Sequence, residues 1–294
     1  MKITLKPDKY VVAVSGGVDS VVLLDLLNRD TDIEVVVAHF NHGIRADTDK
    51  DEEFVVNLAK KYNLPFAVGK GNLGVNASED LARQARYVFL AEVKDDFEAS
   101  GIVTAHHQDD LIETTLINLL RGTHSRGVSA IAQNKNILRP MLNTPKKDIL
   151  AYAKRRNLVW REDESNQNTK YLRNYLRLKV LPGLSISQRQ SLLENIQLIS
   201  QKRSEIDQLL SLTSHALNNS GSINRAKFTA LPSDMGTELI AHWLRQLGYR
   251  QFDKKILDRL VVAIKTSRAG TSHPVYKGLN LVIQKQTAQF ESSL

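Results

Sequence analysis

Several groups of residues in this chain have the types and spacing of chemistry. The string S-G-G-V-D-S at residues 15–20 sets two glycines, two hydroxyls and a carboxylate between a β-branched apolar run and an apolar helical run. Gly16 and Gly17 let the backbone approach a ligand, and a helix opening near Val18 turns its free N–H groups and positive dipole end into the loop, which makes it an anion cradle. Ser15 and Ser20 add hydroxyl donors. Asp19 would repel a phosphate unless a divalent cation sits between them, so magnesium is expected on Asp19. The loop lacks the lysine of G-x-x-x-x-G-K-[ST], which sets it apart from loops built for γ-phosphate transfer.

Further along, H-H-Q-D-D-L-I-E-T-T at 106–115 carries Asp110 and Glu113, three apart, so that both carboxylates share one face of a helix's first turn. Two such acids can hold magnesium, or grip and deprotonate an amine; alternatively an Asp at the helix cap with a Glu three later is a capping box that needs no substrate. Asp109 is an acid beyond what a cap requires. Arg83 and Arg86 share another helix face and can steady charge on phosphates and on an activated oxygen, or form surface salt bridges. His39, His42, His106 and His107 match no usual zinc spacing, and packing or base contacts suit them better.

The elements that position these groups follow from periodicity. Apolar strand-like runs near residues 10–14, 33–39, 64–68 and 101–105 alternate with helical patterns at 18–27, 51–62, 76–95 and 109–120, the third opened by Asn76 and Glu79 as a capping box. This alternation predicts an α/β fold, a doubly wound parallel sheet with ligands at the carboxyl ends of its strands. Helices are expected over 146–156 and 172–181, with a polar turn-rich loop between them. From about residue 187 the pattern is mainly helical, with a short extended piece at 222–228 and a strand-like run near the end. The expected domains are 1–182, with basic linker helices from about 145, and a smaller, mainly helical 183–294.

Composition narrows the classes. Zero cysteines removes disulfides, thiolate zinc, iron–sulfur clusters and persulfide chemistry. The apolar runs fall short of a membrane span and the start lacks a signal peptide's hydrophobic stretch, so a soluble cytoplasmic protein is expected. The net charge of +8 is uneven: residues 1–144 hold 16 Lys/Arg against 20 Asp/Glu, and 145–294 hold 24 against 12. Residues 145–181 interleave ten basic residues with Tyr152, Trp160, Tyr171 and Tyr175, a mixture suited to phosphate contact and base stacking. A polyanion on the basic back half and chemistry in the front is one reading; a solvated lysine-rich surface is the other.

The strings S-G-G-V-D-S, H-F-N-H-G-I-R at 39–45, N-A-S-E-D-L-A-R-Q-A-R-Y at 76–87, T-A-H-H-Q-D-D-L-I-E-T at 104–114, R-P-M-L at 139–142 and E-D-E-S-N with R-N-Y-L-R at 162–177 together resemble the tRNA(Ile)-lysidine synthetase family. These are PP-loop ATP pyrophosphatases, which cleave between the α- and β-phosphates. The resemblance implies a ligase that adenylates the wobble cytidine of an isoleucine tRNA with a CAU anticodon. Free L-lysine then displaces AMP to give lysidine, which changes decoding from AUG to AUA. It implies ATP at Ser15, Gly16, Gly17, Val18, Asp19 and Ser20, bordered by Ala38, His39 and His106, with magnesium on Asp19. Arg83 and Arg86 would support adenylyl transfer, and Asp110 with Glu113 would take the lysine amine. Arg45, Arg121, Lys154, Arg155, Arg173 and Arg177 would contact tRNA, and a homodimer is left open. Base thiolation by the same loop needs cysteine or a cluster, amidation of a small molecule leaves the basic half without a partner, and an RNA chaperone without turnover has no need of the acids and arginines around the loop.

Overall fold

The computed structural model describes residues 1–294 except 44–47, 72–78, 124, 129–136, 163–168, 170, 220, 250–251, 277 and 293–294. It divides into two compact units, Met1–Ser200 and Gln201–Leu294.

The first unit begins with β1 (Asp8–Ala13), α1 (Val18–Asn28), β2 (Ile33–Asn41), α2 (Thr48–Lys61), β3 (Phe66–Lys70), α3 (Glu79–Asp96), β4 (Gly101–Val103) and α4 (Gln108–Leu120). A short α5 (Ser125–Val128), β5 (Ile137–Leu138) and α6 (Lys146–Arg155) follow. The strands form one sheet in the order β3-β2-β1-β4-β5, every pair parallel, as the alternation predicts. Strand pleating sends alternate residues to opposite faces. Val12, Val14, Val35 and Val37 meet α1 and α6 through Leu23, Leu24, Leu27, Ile149 and Ala153 on one side, while Val11, Val36 and Ala38 meet α3 through Leu90 and Val93 on the other. Sandwiched between the sheet and α6, α1 is apolar nearly all round, as a helix buried on most sides must be.

The chain runs outward from β1 through β2 to β3 and then crosses to β4 on the other side of β1. The ends of β1 and β4 therefore flank the switch point where open α/β sheets bind ligands. The phosphate-loop string follows β1, and His106 and His107 follow β4. The capping residue expected at Asn76 lies outside the described residues.

Past α6, the single helix expected over 172–181 is instead three forms in succession. α7 (Leu172–Tyr175) passes into a π-helical stretch, Leu176–Val180, and then a 3₁₀ turn, Leu181–Gly183, that contains Pro182. α8 (Ile186–Leu217) follows and contains the division between the units. Its first half belongs to the first unit because Leu192, Leu193 and Ile196 pack with Leu181 against Leu111 and Ile112 of α4. The units therefore part at residue 200, beyond the boundary expected at 182.

The second unit is not helical throughout. β6 (Asn218–Asn219), β7 (Ser222–Asn224), α9 (Arg225–Thr229), α10 (Ser233–Gln246), α11 (Lys254–Thr266), β8 (Ser272–Tyr276), β9 (Leu279–Ile283) and β10 (Thr287–Ser292) build an antiparallel sheet, β6-β7-β10-β9-β8, whose core includes helix residues Phe228, Leu239, Leu244, Leu260 and Ile264. The extended piece expected at 222–228 is a strand only to Asn224, whose side chain then caps α9 by accepting from Lys227 N.

Candidate active site

The phosphate loop is held open from within. Gly16 has φ +90°, and a Cβ there would come 3.3 Å from the Phe54 ring, so glycine serves both conformation and space. The Ser20 hydroxyl donates to Gly17 O (2.9 Å) and accepts from Ser15 N (3.2 Å), which ties the loop to the first turn of α1. Gly17 is the N-cap and supplies no side-chain acceptor, so the first amides of α1, beginning at Val18, lack a capping side chain. That is the arrangement of an anion site. His39 is buried and donates from Nδ1 to Val14 O (2.9 Å), while Val14 N bonds Ala38 O, so the ends of β1 and β2 are pinned where the two were expected to border the adenine.

Asp19 meets Lys146, the first residue of α6, whose Nζ lies 2.6 and 2.7 Å from the two carboxylate oxygens. On its other side is His107, almost wholly buried, with Nε2 3.6 Å from Asp19 Oδ2 and 3.5 Å from Asp110 Oδ2. Burial opposes charge on both groups. The His107 and Lys146 contacts nonetheless hold Asp19 below its ordinary pKa, and the two aspartates raise that of His107.

At the start of α4 the capping reading is half right. The box is His107 with Asp110: His107 Nδ1 accepts from Asp109 N (3.2 Å) and Asp110 Oδ2 accepts from His107 N (2.9 Å). Glu113 takes no part in it. Its side chain is fully buried, and Arg177 grips it with Nε to Oε1 at 2.7 Å and a terminal nitrogen to Oε2 at 2.9 Å; that same nitrogen is 2.9 Å from Asp110 Oδ1. Burial raises the Glu113 carboxyl above its ordinary value against the pull of Arg177. Burial works against Arg177 too, but its bonds to Glu113 outweigh that and raise its pKa. Arg173 stands 3.9 Å from Glu113, and Asp109 is paired with Arg189 of α8.

A second cluster carries excess positive charge. The Tyr87 ring is flanked by the guanidinium carbons of Arg83 at 5.1 Å and Arg86 at 5.3 Å, and Arg83 donates to its hydroxyl at 3.4 Å. Arg139, of R-P-M-L, joins them at Tyr87. Arg86 and Arg139 each bury an Nε that has no hydrogen-bond partner among the described residues, and burial lowers the pKa of both. His106 shares this neighbourhood. Burial, with Arg139, Arg83 and Arg86 adding and Asp110 opposing, pushes it down to about 3, so it is neutral at pH 7 and pairs with the Thr104 hydroxyl at 2.8 Å. Clustered guanidiniums facing a neutral imidazole suit an anionic ligand.

The structure thus brings together the loop with Asp19, His106, Asp110, Glu113 and the arginines 83 and 86. Arg177, expected among tRNA contacts, lies on the acid pair. Lys154 and Arg155 are exposed at the far end of α6, about 12 Å along the helix from Lys146 at 1.5 Å per residue. The cavity there, about 720 Å³ and lined by Met1, Lys2, Arg29 and Arg155 among others, is remote from the loop. Arg121 is exposed after α4, and Arg45 lies outside the described residues. Lys146, His107, Arg139 and Tyr87 are the site residues that sequence reasoning missed. A lysine opening a helix, where the dipole disfavours a cation, was the available signal for the first.

A PP-loop domain matches residues 2–184. The chain belongs to the PP-loop family. It is 44% identical over 181 residues to a tRNA(Ile)-lysidine synthase of Haemophilus ducreyi, a match covering 59% of this chain and 41% of that protein. It is 28% identical to a tRNA(Ile)-lysidine synthase of Chlorobaculum tepidum over 99% of this chain and 93% of that one. The chain therefore covers less than half the length of the first relative and nearly the whole of the second. Among solved structures, a U34-tRNA thiolase of Methanococcus maripaludis with its [4Fe-4S] cluster shares the fold at TM-score 0.55 and 15% identity, covering 67% of this chain and 74% of that one. This chain has no cysteine with which to hold such a cluster.

Proposed function

We propose that this chain is an ATP-dependent ligase acting on tRNA. It adenylates the ring carbonyl oxygen of the wobble cytidine in an isoleucine tRNA with a CAU anticodon and then joins free lysine to the base, giving lysidine with release of pyrophosphate and AMP. The observation that carries this reading is the acid pair. Glu113 and Asp110 already clasp a cation on an alkyl stem, that of Arg177, and Asp110 is linked through His107 to Asp19 of the phosphate loop. A lysine ε-ammonium competes for the same oxygens. Because burial raises the Glu113 carboxyl, it is a better proton acceptor than an exposed carboxylate, which is what freeing the amine for attack requires.

The geometry supports the following roles. In the first step the cytidine oxygen bonds to the α-phosphorus, and the bond to the bridging oxygen breaks with its electrons leaving on pyrophosphate. Residues 15–20 and the first amides of α1 hold the phosphates, and Arg83, Arg86 and Arg139 face the charge that accumulates. In the second step the lysine nitrogen attacks the ring carbon that bore the oxygen, AMP leaves with that oxygen, and the acid pair takes the amine proton. The donor set at the loop, one carboxylate beside an anion cradle, suits magnesium, which ordinarily takes one or two carboxylates plus phosphate oxygens. Asp19 would hold it, and it would neutralise phosphate charge.

Residues 1–182 are read as the ATP-binding, catalytic part, and the basic 183–294 as the part that holds tRNA, with Arg45, Arg121, Lys154, Arg155, Arg173 and Arg177 as candidate contacts. None of the described helices is long and apolar enough to cross a membrane, and a cytoplasmic site of action is part of the proposal. The test is pyrophosphate release from ATP. It is expected to require the CAU-anticodon tRNA, and release without RNA would point to a small-molecule ligase.

A further inference from the structure

The loop at 15–20 contains no lysine, although phosphate loops that hold β- and γ-phosphates use one. A lysine nevertheless reaches it from 127 residues away in the chain. Lys146 sets its ammonium against both oxygens of Asp19, at 2.6 and 2.7 Å, and 31% of its side chain is open to solvent, so a ligand in the loop can reach it. It is the first residue of α6, with Pro145 as a cap that offers no side-chain acceptor and Lys147 beside it. At that position the helix dipole opposes a cation, so α6 itself gains nothing from the charge. Packing does not account for the lysine either. The buried face of α6 is Ile149, Tyr152 and Ala153.

We propose that Lys146 is the phosphate-binding ammonium of this loop, moving from Asp19 to the β- and γ-phosphate oxygens of a bound nucleoside triphosphate while the Asp19 carboxylate turns to the accompanying magnesium. The inference rests on the reading of residues 15–20 as an ATP site. During adenylyl transfer the bond from the α-phosphorus to its bridging oxygen breaks and the electron pair remains on the departing pyrophosphate. Lys146 keeps its proton throughout and donates hydrogen bonds to that growing charge. Against Asp19 the same ammonium shares with His107, whose Nε2 is 3.6 Å away on the other side, the offsetting of a carboxylate beside an anion cradle.

The alternative is that Lys146 serves only as the counter-ion of Asp19. Calorimetric titration of the full chain with ATP and with AMP, in EDTA to remove metal, separates the two. The comparison is made in the Asp19→Asn background, where no carboxylate remains to be neutralised. Adding Lys146→Met there is expected to weaken ATP about tenfold or more, the loss of a charge-assisted hydrogen bond, while AMP, which lacks the β- and γ-phosphates, binds as before. Lys146→Arg keeps the charge with little risk to folding and is expected to retain most of the preference for ATP over AMP. Equal effects of Lys146→Met on ATP and AMP in the Asp19→Asn background would overturn the proposal and leave the counter-ion role. If the unaltered chain binds neither nucleotide, the ATP reading falls and this inference falls with it.

Discussion

At the scale of single residues, the acid pair is the sharpest commitment. Asp110 meets the His107 backbone, the His107 ring and Arg177, whereas Glu113 is gripped by Arg177, with Arg173 3.9 Å away, and has no access to solvent. Asp110→Asn keeps the cap acceptor and the shape but removes the charge. It is expected to leave ATP binding and pyrophosphate release largely intact while slowing lysine transfer by about a hundredfold or more, the usual contribution of a positioned base. Lysine transfer at the normal rate, followed by single-turnover analysis of the modified base, would remove Asp110 from this role. That Asp110 and Glu113 share one helix face after a strand was readable from their spacing. What held them was not, because Arg177 is 64 residues from Glu113 and reaches it from a π-helical stretch that no periodicity announces. His107 was similarly hidden: it is a cap, a bridge and a buried side chain at once, and sequence shows only two adjacent histidines.

Among elements, α1 is the hub. Its N-terminus faces the phosphate loop, and its interior Asp25 ties it to two other elements by accepting from Tyr152 of α6 at 2.7 Å and from Tyr62, just past α2, at 3.1 Å, with Arg156 completing the set. Burial alone would raise the Asp25 carboxyl, but these donors outweigh it and hold its pKa below 3.8, while Tyr62 is pushed up to about 12. A depressed folded pKa means that the ionised group stabilises the fold above the unfolded value of 3.8 and that this contribution is lost as pH falls through the folded value. Asp25→Asn is therefore expected to cost about 1–3 kcal/mol at neutral pH, the scale for disturbing buried charged hydrogen bonds. Urea unfolding should show that gap closing in the acid range, and a gap independent of pH would contradict the account. The order of helices and strands in the front unit was readable because long periodic segments dominate it. Of the second unit's sheet, β7 and β9 were readable as extended runs, whereas β6 is two residues long and too short to show alternation.

For the whole molecule, a PP-loop sheet supplies a phosphate cradle, an arginine cluster and a cation-binding acid pair within one compact unit, and a basic second unit follows. The composition shifts at about residue 145, but charge does not say where packing ends. The apolar face of α8 carries the first unit on to Ser200. The chain has no cysteine with which to carry sulfur, and an amine is the nucleophile proposed for the acid pair. These strands meet in one product, so the most direct measurement is the mass of the wobble nucleoside. The protein is incubated with ATP, magnesium, free lysine and a CAU-anticodon isoleucine tRNA, and the RNA is digested to nucleosides. The account predicts cytidine at that position converted to a species heavier by lysine less one water, with AMP and pyrophosphate formed in equal amounts. An unmodified cytidine, with the protein folded and the tRNA bound, would contradict it.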